Sequence, residues 1–277
     1  MNQALKDKYK GRPVNTVLAE CDSRLRTAGA ELTELQALLQ ICQQATKDPY
    51  RRGQIAQRVW LTERRLGLNK LFFSQAGQDR YVHSRFFAST RNGVFVEIGG
   101  YNGFEGSNCL FFEKFMGWTG IIVEAARGLA DMIPTTRSQP VVHAAIMDRD
   151  GTAEFIEVTR GYTQMGGLAE SYDPGMIDTV RRSPQHEERT VQVPAMRLDT
   201  LLRAHRPGKI DYMSIDAEGA ERLILEPFDF SEFDISVITT ENNTGTEAGS
   251  VGDILRPAGY RLDAIVGVDE VWTKLPG

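Results

Sequence analysis

Apolar residues recur at alternating spacings of three and four from residue 14 to 45. Leu18, Cys21, Leu25, Ala28, Leu32, Leu35, Leu39 and Cys42 form one seam of a long helix. Gly29 interrupts the seam at a helix cost of about 1 kcal/mol. Asp48-Pro49 breaks the pattern, and a second helix follows over 50–66 with Ile55, Val59 and Leu66 inward. Residues 1–70 therefore read as a helical arm. It either packs on its own domain or pairs with a second copy as a dimerisation hairpin.

From residue 94 the period changes. Apolar runs at 94–98, 120–124, 141–147, 210–215 and 235–240 alternate with helical stretches at 105–116, 128–136 and 218–226. That alternation predicts a parallel sheet with helices on both faces. Two β-rich runs, 260–266 and 268–273, close the chain as an antiparallel hairpin around Gly267. The connection over 148–208 carries strands near 152–158 and 190–193. Between them, 159–189 is polar and rich in Gly, Pro and Arg, the profile of a lid. A short helix begins at 198–202.

Composition narrows the class. The 277 residues hold one large α/β domain plus the arm, and 41% hydrophobic with 25% charged residues is ordinary for a globular protein. A net charge of -5 argues against a large nucleic-acid footprint. Three cysteines (Cys21, Cys42 and Cys109) make no disulfide framework and no CxxC zinc pair. The basic start lacks the apolar core of a signal peptide, and no run reaches the roughly 20 apolar residues of a membrane span. These features predict a cytoplasmic protein with reduced thiols.

The chemistry concentrates in Val94-Phe95-Val96-Glu97-Ile98-Gly99-Gly100-Tyr101-Asn102-Gly103, a buried strand ended by an acid and a glycine turn. Gly120-Ile121-Ile122-Val123-Glu124 repeats strand plus terminal carboxylate. This pairing reads as the first two strands of a nucleoside-binding α/β domain: glycines let the backbone approach a ligand, and the second acid accepts ribose hydroxyls.

Further motifs give a family resemblance. Phe73-Ser74-Gln75-Ala76-Gly77-Gln78-Asp79 precedes the glycine turn, and Gly106-Ser107-Asn108 follows it. Trp118-Thr119 leads the second strand. Ala144-Ala145-Ile146 precedes Asp150-Gly151-Thr152-Ala153-Glu154-Phe155, and Asp211-Tyr212-Met213-Ser214-Ile215-Asp216-Ala217-Glu218-Gly219 with Glu221 is the most distinctive piece. Over residues 73–275 the chain resembles the FkbM-type methyltransferases. It departs at Ala125, where that family usually has proline, and in the arm. The resemblance implies a class I methyltransferase sheet, Rossmann-like, mostly parallel and seven-stranded with an antiparallel final strand, in residues 71–277. It also implies S-adenosylmethionine (SAM) as cofactor, and methyl transfer to a hydroxyl of a sugar, glycan or other natural product.

Within that frame Glu97 either accepts from the cofactor's amino group or fixes the glycine turn. Gly99 and Gly103 admit the ligand. Glu124 takes the ribose hydroxyls, since an acid closing an apolar strand is costly without partners. Ser107 and Asn108 either cap the next helix or reach the methionine carboxylate. Ala144 and Ala145 leave room for an adenine edge. Gln78 and Asp79 contact cofactor or acceptor, or form a structural turn.

Asp216 ends the fourth strand and Glu241-Asn242 end the fifth. As neighbours, these strands would bring two carboxylates and an amide oxygen together, a hard-oxygen set suited to Mg²⁺. The arrangement is similar to that of metal-dependent catechol O-methyltransferases. Alternatively Asp216 acts alone, as base or cofactor contact. Glu218 and Glu221 open a helix where capping is the default, with Glu218 still a candidate for the site. Of His83, His143, His186 and His205, only His186 sits in the lid, from which it could swing in as a base. Arg181, Arg182 and Arg189 form a solvated face or read an acidic acceptor. Two other classes stay open: a nicotinamide (NAD)-dependent oxidoreductase, disfavoured because the turn lacks GxGxxG spacing, and a SAM-binding scaffold without activity.

Overall fold

The computed structural model describes residues 12–69, 71–242, 245 and 250–275. The arm consists of α1 (Val14–Ala45) and α2 (Pro49–Arg65), followed by α3 (Gln78–Val82), which widens into a π-helical turn over His83–Phe87. Then come β1 (Val94–Ile98), α4 (Leu110–Met116), β2 (Thr119–Glu124), α5 (Arg127–Ala130), β3 (Val141–His143) and β4 (Ala145–Met147). The insertion holds β5 (Gly151–Arg160), β6 (Gly167–Leu168), α6 (Pro174–Arg181) and β7 (Glu187–Arg197). The chain continues through α7 (Leu198–His205), β8 (Ile210–Ile215), α8 (Glu221–Leu225) and β9 (Ile235–Glu241). It closes with α9 (Gly252–Leu255), β10 (Tyr260–Val266) and β11 (Asp269–Lys274).

Seven strands form one sheet in the order β10-β11-β9-β8-β1-β2-β3. All contacts across β9-β8-β1-β2-β3 are parallel, and β11 runs antiparallel to both β9 and β10. This is the expected parallel sheet with its reversed final strand. Strands buried on both faces explain the continuous apolar runs. On β1, Val96 and Ile98 enter one core cluster while Phe95 enters the other, on the opposite face.

The expected strand over 141–147 is two strands. Val141–His143 pairs with β2, whereas Ala145–Met147 leaves the main sheet and pairs with β7. A second sheet, β4-β7-β5-β6, results. Helix boundaries also shift inward. Asn102 Oδ1 accepts from the Phe104 and Glu105 amides, which holds that stretch as a turn and delays α4 to Leu110. Glu218 and Gly219 both have positive φ, which delays α8 to Glu221.

Asp48 Oδ1 caps α2 through the Arg51 amide at 2.7 Å. The arm docks on the sheet's outer strand. Arg52 Nη1 meets Asp263 Oδ1 at 2.8 Å, and Tyr81 Oη donates to Asp263 Oδ2 at 2.6 Å. Gly53 lies so near β10 that a Cβ there would stand 1.5 Å from Ile265 O. On α1, Leu32 and Leu39 are half-buried, while Leu35, Leu38, Ile41 and Cys42 are exposed. The seam's first side chains, Leu18, Cys21 and Leu25, lie outside those described. Among the described residues no helix is long and apolar enough to cross a membrane.

Candidate functional site

A cleft of about 1020 Å³, counted with its open mouth, lies at the carboxyl ends of β1, β2 and β8. Such strand ends, where connections diverge to opposite faces of a sheet, are the usual ligand crevice of open α/β folds. Ala144, Ala145, Ile146 and Leu129 form an apolar wall. The insertion supplies the facing wall, through Phe155, Glu157, Val158, Thr163, Gln164 and Leu168. The predicted lid thus borders the cleft only along its first part, and α6 lies outside the lining.

The glycine turn is shaped by close approach. Gly99 has φ of 82°, and a Cβ there would lie 1.9 Å from the Asp216 carbonyl oxygen. The amides of Gly99 and Gly100 both donate to Val123 O, at 3.0 and 2.9 Å. Tyr101 follows at φ 46°, a conformation costly for a residue with a Cβ. Its amide donates to Glu124 Oε2 at 2.8 Å, and its hydroxyl shares a hydrogen bond with Thr163 Oγ1 at 2.8 Å. One residue therefore joins the turn, the second strand's acid and the insertion. Gly103 is not in the lining but packs against Arg137.

Glu124 is buried, and its other oxygen accepts from the Ala126 amide at 2.8 Å. Burial pushes its carboxyl up to about 7, against the pull of those amides. Glu97 is buried in a network. Its Oε1 accepts from Ser107 Oγ at 2.6 Å and from the Cys109 amide at 3.2 Å. Its Oε2 accepts from Arg137 Nη1 at 2.8 Å. Ser107 Oγ in turn accepts from the Leu110 amide at 3.0 Å, so it caps α4 while still lining the cleft. Asn108 Nδ2 donates to Ser214 Oγ at 3.0 Å, and its Oδ1 is buried without a hydrogen-bond partner.

Asp216, Glu218 and Glu241 bring one carboxylate oxygen each within 4.8 Å of one another. Burial first pushes all three carboxyls upward; the charge of Glu97 adds to this at Asp216, and the charge of Asp216 adds to it at Glu218 and Glu241. Glu218 Oε2 is buried with no hydrogen-bond partner. Asn242 follows Glu241 and is hydrogen-bonded: its Nδ2 donates to Glu270 Oε1 at 2.9 Å and its Oδ1 accepts from the Gly245 amide at 3.1 Å. Glu221 turns its Oε1 back to the Ala217 amide at 2.9 Å.

The remaining candidates hold structure. Gln78 Oε1 accepts from the Ala76 amide, and buried Asp79 accepts from the Phe73 and Arg80 amides at 2.6 and 2.7 Å. His186 Nε2 lies 2.8 Å from Glu188 Oε2, away from the cleft lining. Arg181 pairs with Glu188 and Arg189 with Glu157. Sequence reasoning passed over Arg137, Tyr101 and Thr163. A lone arginine in a loop gives no periodic signal, and Tyr101 is unusual only in its backbone.

A family model described as the methyltransferase FkbM domain matches residues 97–262. The crystal structure of a TehB-like SAM-dependent methyltransferase from Corynebacterium glutamicum is 12% identical, covering 78% of this chain and 94% of that one, with a TM-score of 0.38. Among curated proteins no relative matches the sequence.

Proposed function

This chain belongs to the FkbM methyltransferase family, and from that premise we propose that it carries a methyl from SAM to a hydroxyl of a sugar, glycan or other natural product. SAM supplies the methyl on a cationic sulfur, and transfer is a direct in-line displacement. The observation that carries this reading is Glu124. It closes β2, faces the cleft, and has both oxygens oriented by backbone amides with acceptor capacity left for two ribose hydroxyls.

In this assignment Gly99 and Gly103 let the turn fold close to the cofactor. Ala145 sits beside the adenine, and Ser107 and Asn108 lie near the amino-acid end. Asp216 faces the acceptor, where it serves as a ligand of a divalent cation or, acting alone, takes the acceptor's proton. His186, paired with Glu188, has no part in it. The three clustered carboxylates fit a hard divalent cation such as Mg²⁺, and Glu218 Oε2, without a hydrogen-bond partner, adds to that fit. The cluster adds Glu218 to the ligands expected from sequence, while Asn242 Oδ1 already accepts from the Gly245 amide. A cation held there would polarise the acceptor hydroxyl and lower its pKa.

Exposed Leu35, Leu38 and Ile41 support reading the arm as a contact between two copies. Free Cys42 and Cys109 suit a reducing cytoplasm. The strand order, with β11 reversed between β9 and β10, speaks against the nicotinamide alternative.

The test is transfer of tritiated methyl from SAM to a panel of sugars and hydroxylated natural products, with and without EDTA. The expected result is label on oxygen, lost on chelation and restored by Mg²⁺. Label on nitrogen would overturn the hydroxyl assignment, and chelator-insensitive turnover would remove the cation. Binding of NADH without binding of SAM would overturn the whole reading.

A further inference from the structure

We propose that Arg137 is a positioning residue for the amino-acid end of SAM, acting through Glu97. The proposal rests on the cofactor reading above.

Arg137 lies between α5 and β3 with its side chain fully buried. Its Nη1 donates to Glu97 Oε2 at 2.8 Å, and its Nε donates to Glu113 Oε2 at 2.6 Å. The same Nη1 reaches Ser107 Oγ at 3.2 Å and Gly103 O at 3.3 Å. One guanidinium thus holds the strand's acid, the last glycine of the turn and the cap of α4 in a fixed relation. Its Nη2 is buried without a hydrogen-bond partner, a costly condition for a charged group.

Stability alone is a poor reason for such an arrangement. A buried ion triad is often matched or bettered by apolar side chains of similar volume. What the triad does provide is charge and direction. Glu113 is held by two cations, Arg137 and Lys114, whose Nζ lies 3.2 Å from Glu113 Oε1, whereas the ion pair of Glu97 is with Arg137. Burial raises the Glu113 carboxyl, but the Arg137 and Ser138 donors outweigh it and hold Glu113 below its usual value, so the second acid stays ionised.

Glu97 has room for about four acceptor directions. Ser107, the Cys109 amide and Arg137 take three of them. The one left belongs to Oε2, on a residue that lines the cleft. Its chemistry matches an ammonium, and the methionine part of SAM carries one. Arg137 fixes which lone pair is left and where it points.

Two ligands separate this role from general support. SAM and 5′-methylthioadenosine share the adenosine and its sulfur, but only SAM has the amino acid. Calorimetric titration of the full chain should show Arg137→Met weakening SAM about tenfold or more, with methylthioadenosine changed less than about twofold. Arg137→Lys should recover part of the loss. Glu97→Gln should show the same selectivity, and the double variant should be no worse than the more damaging single change. Equal loss of both ligands would overturn the proposal, as would unchanged SAM affinity. If Arg137→Met fails to fold, Glu113→Gln, which removes one anchor, decides: selective loss of SAM supports the proposal, and loss of both or neither overturns it. Wild-type protein that binds neither ligand would overturn the cofactor reading itself.

Discussion

Gly99 stands directly against Asp216: a Cβ on the glycine would lie 1.9 Å from the aspartate carbonyl oxygen, while the Asp216 amide donates to Ile98 O at 3.0 Å. The ends of β1 and β8 are joined with no space for a side chain. Gly99→Ala must also adopt a φ of 82°. Strain and overpacking together should cost roughly 2–4 kcal/mol, read from urea unfolding. SAM affinity should fall at least about tenfold if the backbone moves away from the cleft. A variant as stable and as tight as wild type would contradict this packing argument.

Glu124→Gln keeps size but puts a donor opposite an amide that now donates to it, since both oxygens accept from the backbone. The expected loss of SAM affinity is about 10- to 100-fold by calorimetry, from weakened ribose contacts and a disturbed turn. An unchanged affinity would remove Glu124 from the cofactor site.

Mn²⁺ titration tests the acid trio. Asp216→Asn, Glu218→Gln and Glu241→Gln should each weaken the metal about tenfold or more, while Asn242→Ala should stay within about twofold. Equal effects at all four positions would point to a general loss of structure.

Stability should fall as pH rises from 5.5 to 8.5. Burial raises Asp79 to about 6, Glu124 and Glu221 to about 7 and Asp269 to about 8. The native state thus keeps protons that the unfolded chain has released. Their contribution is full below about pH 4 and is lost as pH passes through 6 to 8. His83, lowered by burial, works in the opposite sense near its ordinary value. The melting temperature should drop by roughly 2–4 °C for each kcal/mol lost. A rise over this interval would show that these acids are solvated.

Replacing Leu35, Leu38 and Ile41 together with glutamate should convert a dimer to a monomer by light scattering, with melting temperature retained because all three are exposed. Wild-type protein that is already monomeric would end the dimer reading.

Much of the fold was legible because strands buried on both faces cannot hide their apolar runs, and the helices of the arm keep a clear period. The split at Ala144 was not legible: 141–147 reads as one continuous strand, and only pairing with 195–197 from far along the chain divides it. In the site, Glu97, Glu124 and Asp216 could be found because each ends an apolar strand. Glu218, the third member of the trio, was legible only as a candidate, because helix capping explains an acid at that position equally well. Asn242 follows Glu241 directly, whereas Glu218 reaches the group only because its backbone turns left-handed at φ 51°. Arg137 was hidden for a related reason: its partners lie 24 to 40 residues away.

Docking of α2 on β10 has a consequence beyond anchoring the arm. β10 is the outermost strand of the main sheet, and an uncovered outer strand offers a template to which foreign strands add. The helix therefore doubles as a shield for solubility. A version trimmed to residues 71–277 should collect in insoluble form as it is made, even where its catalytic cleft is intact.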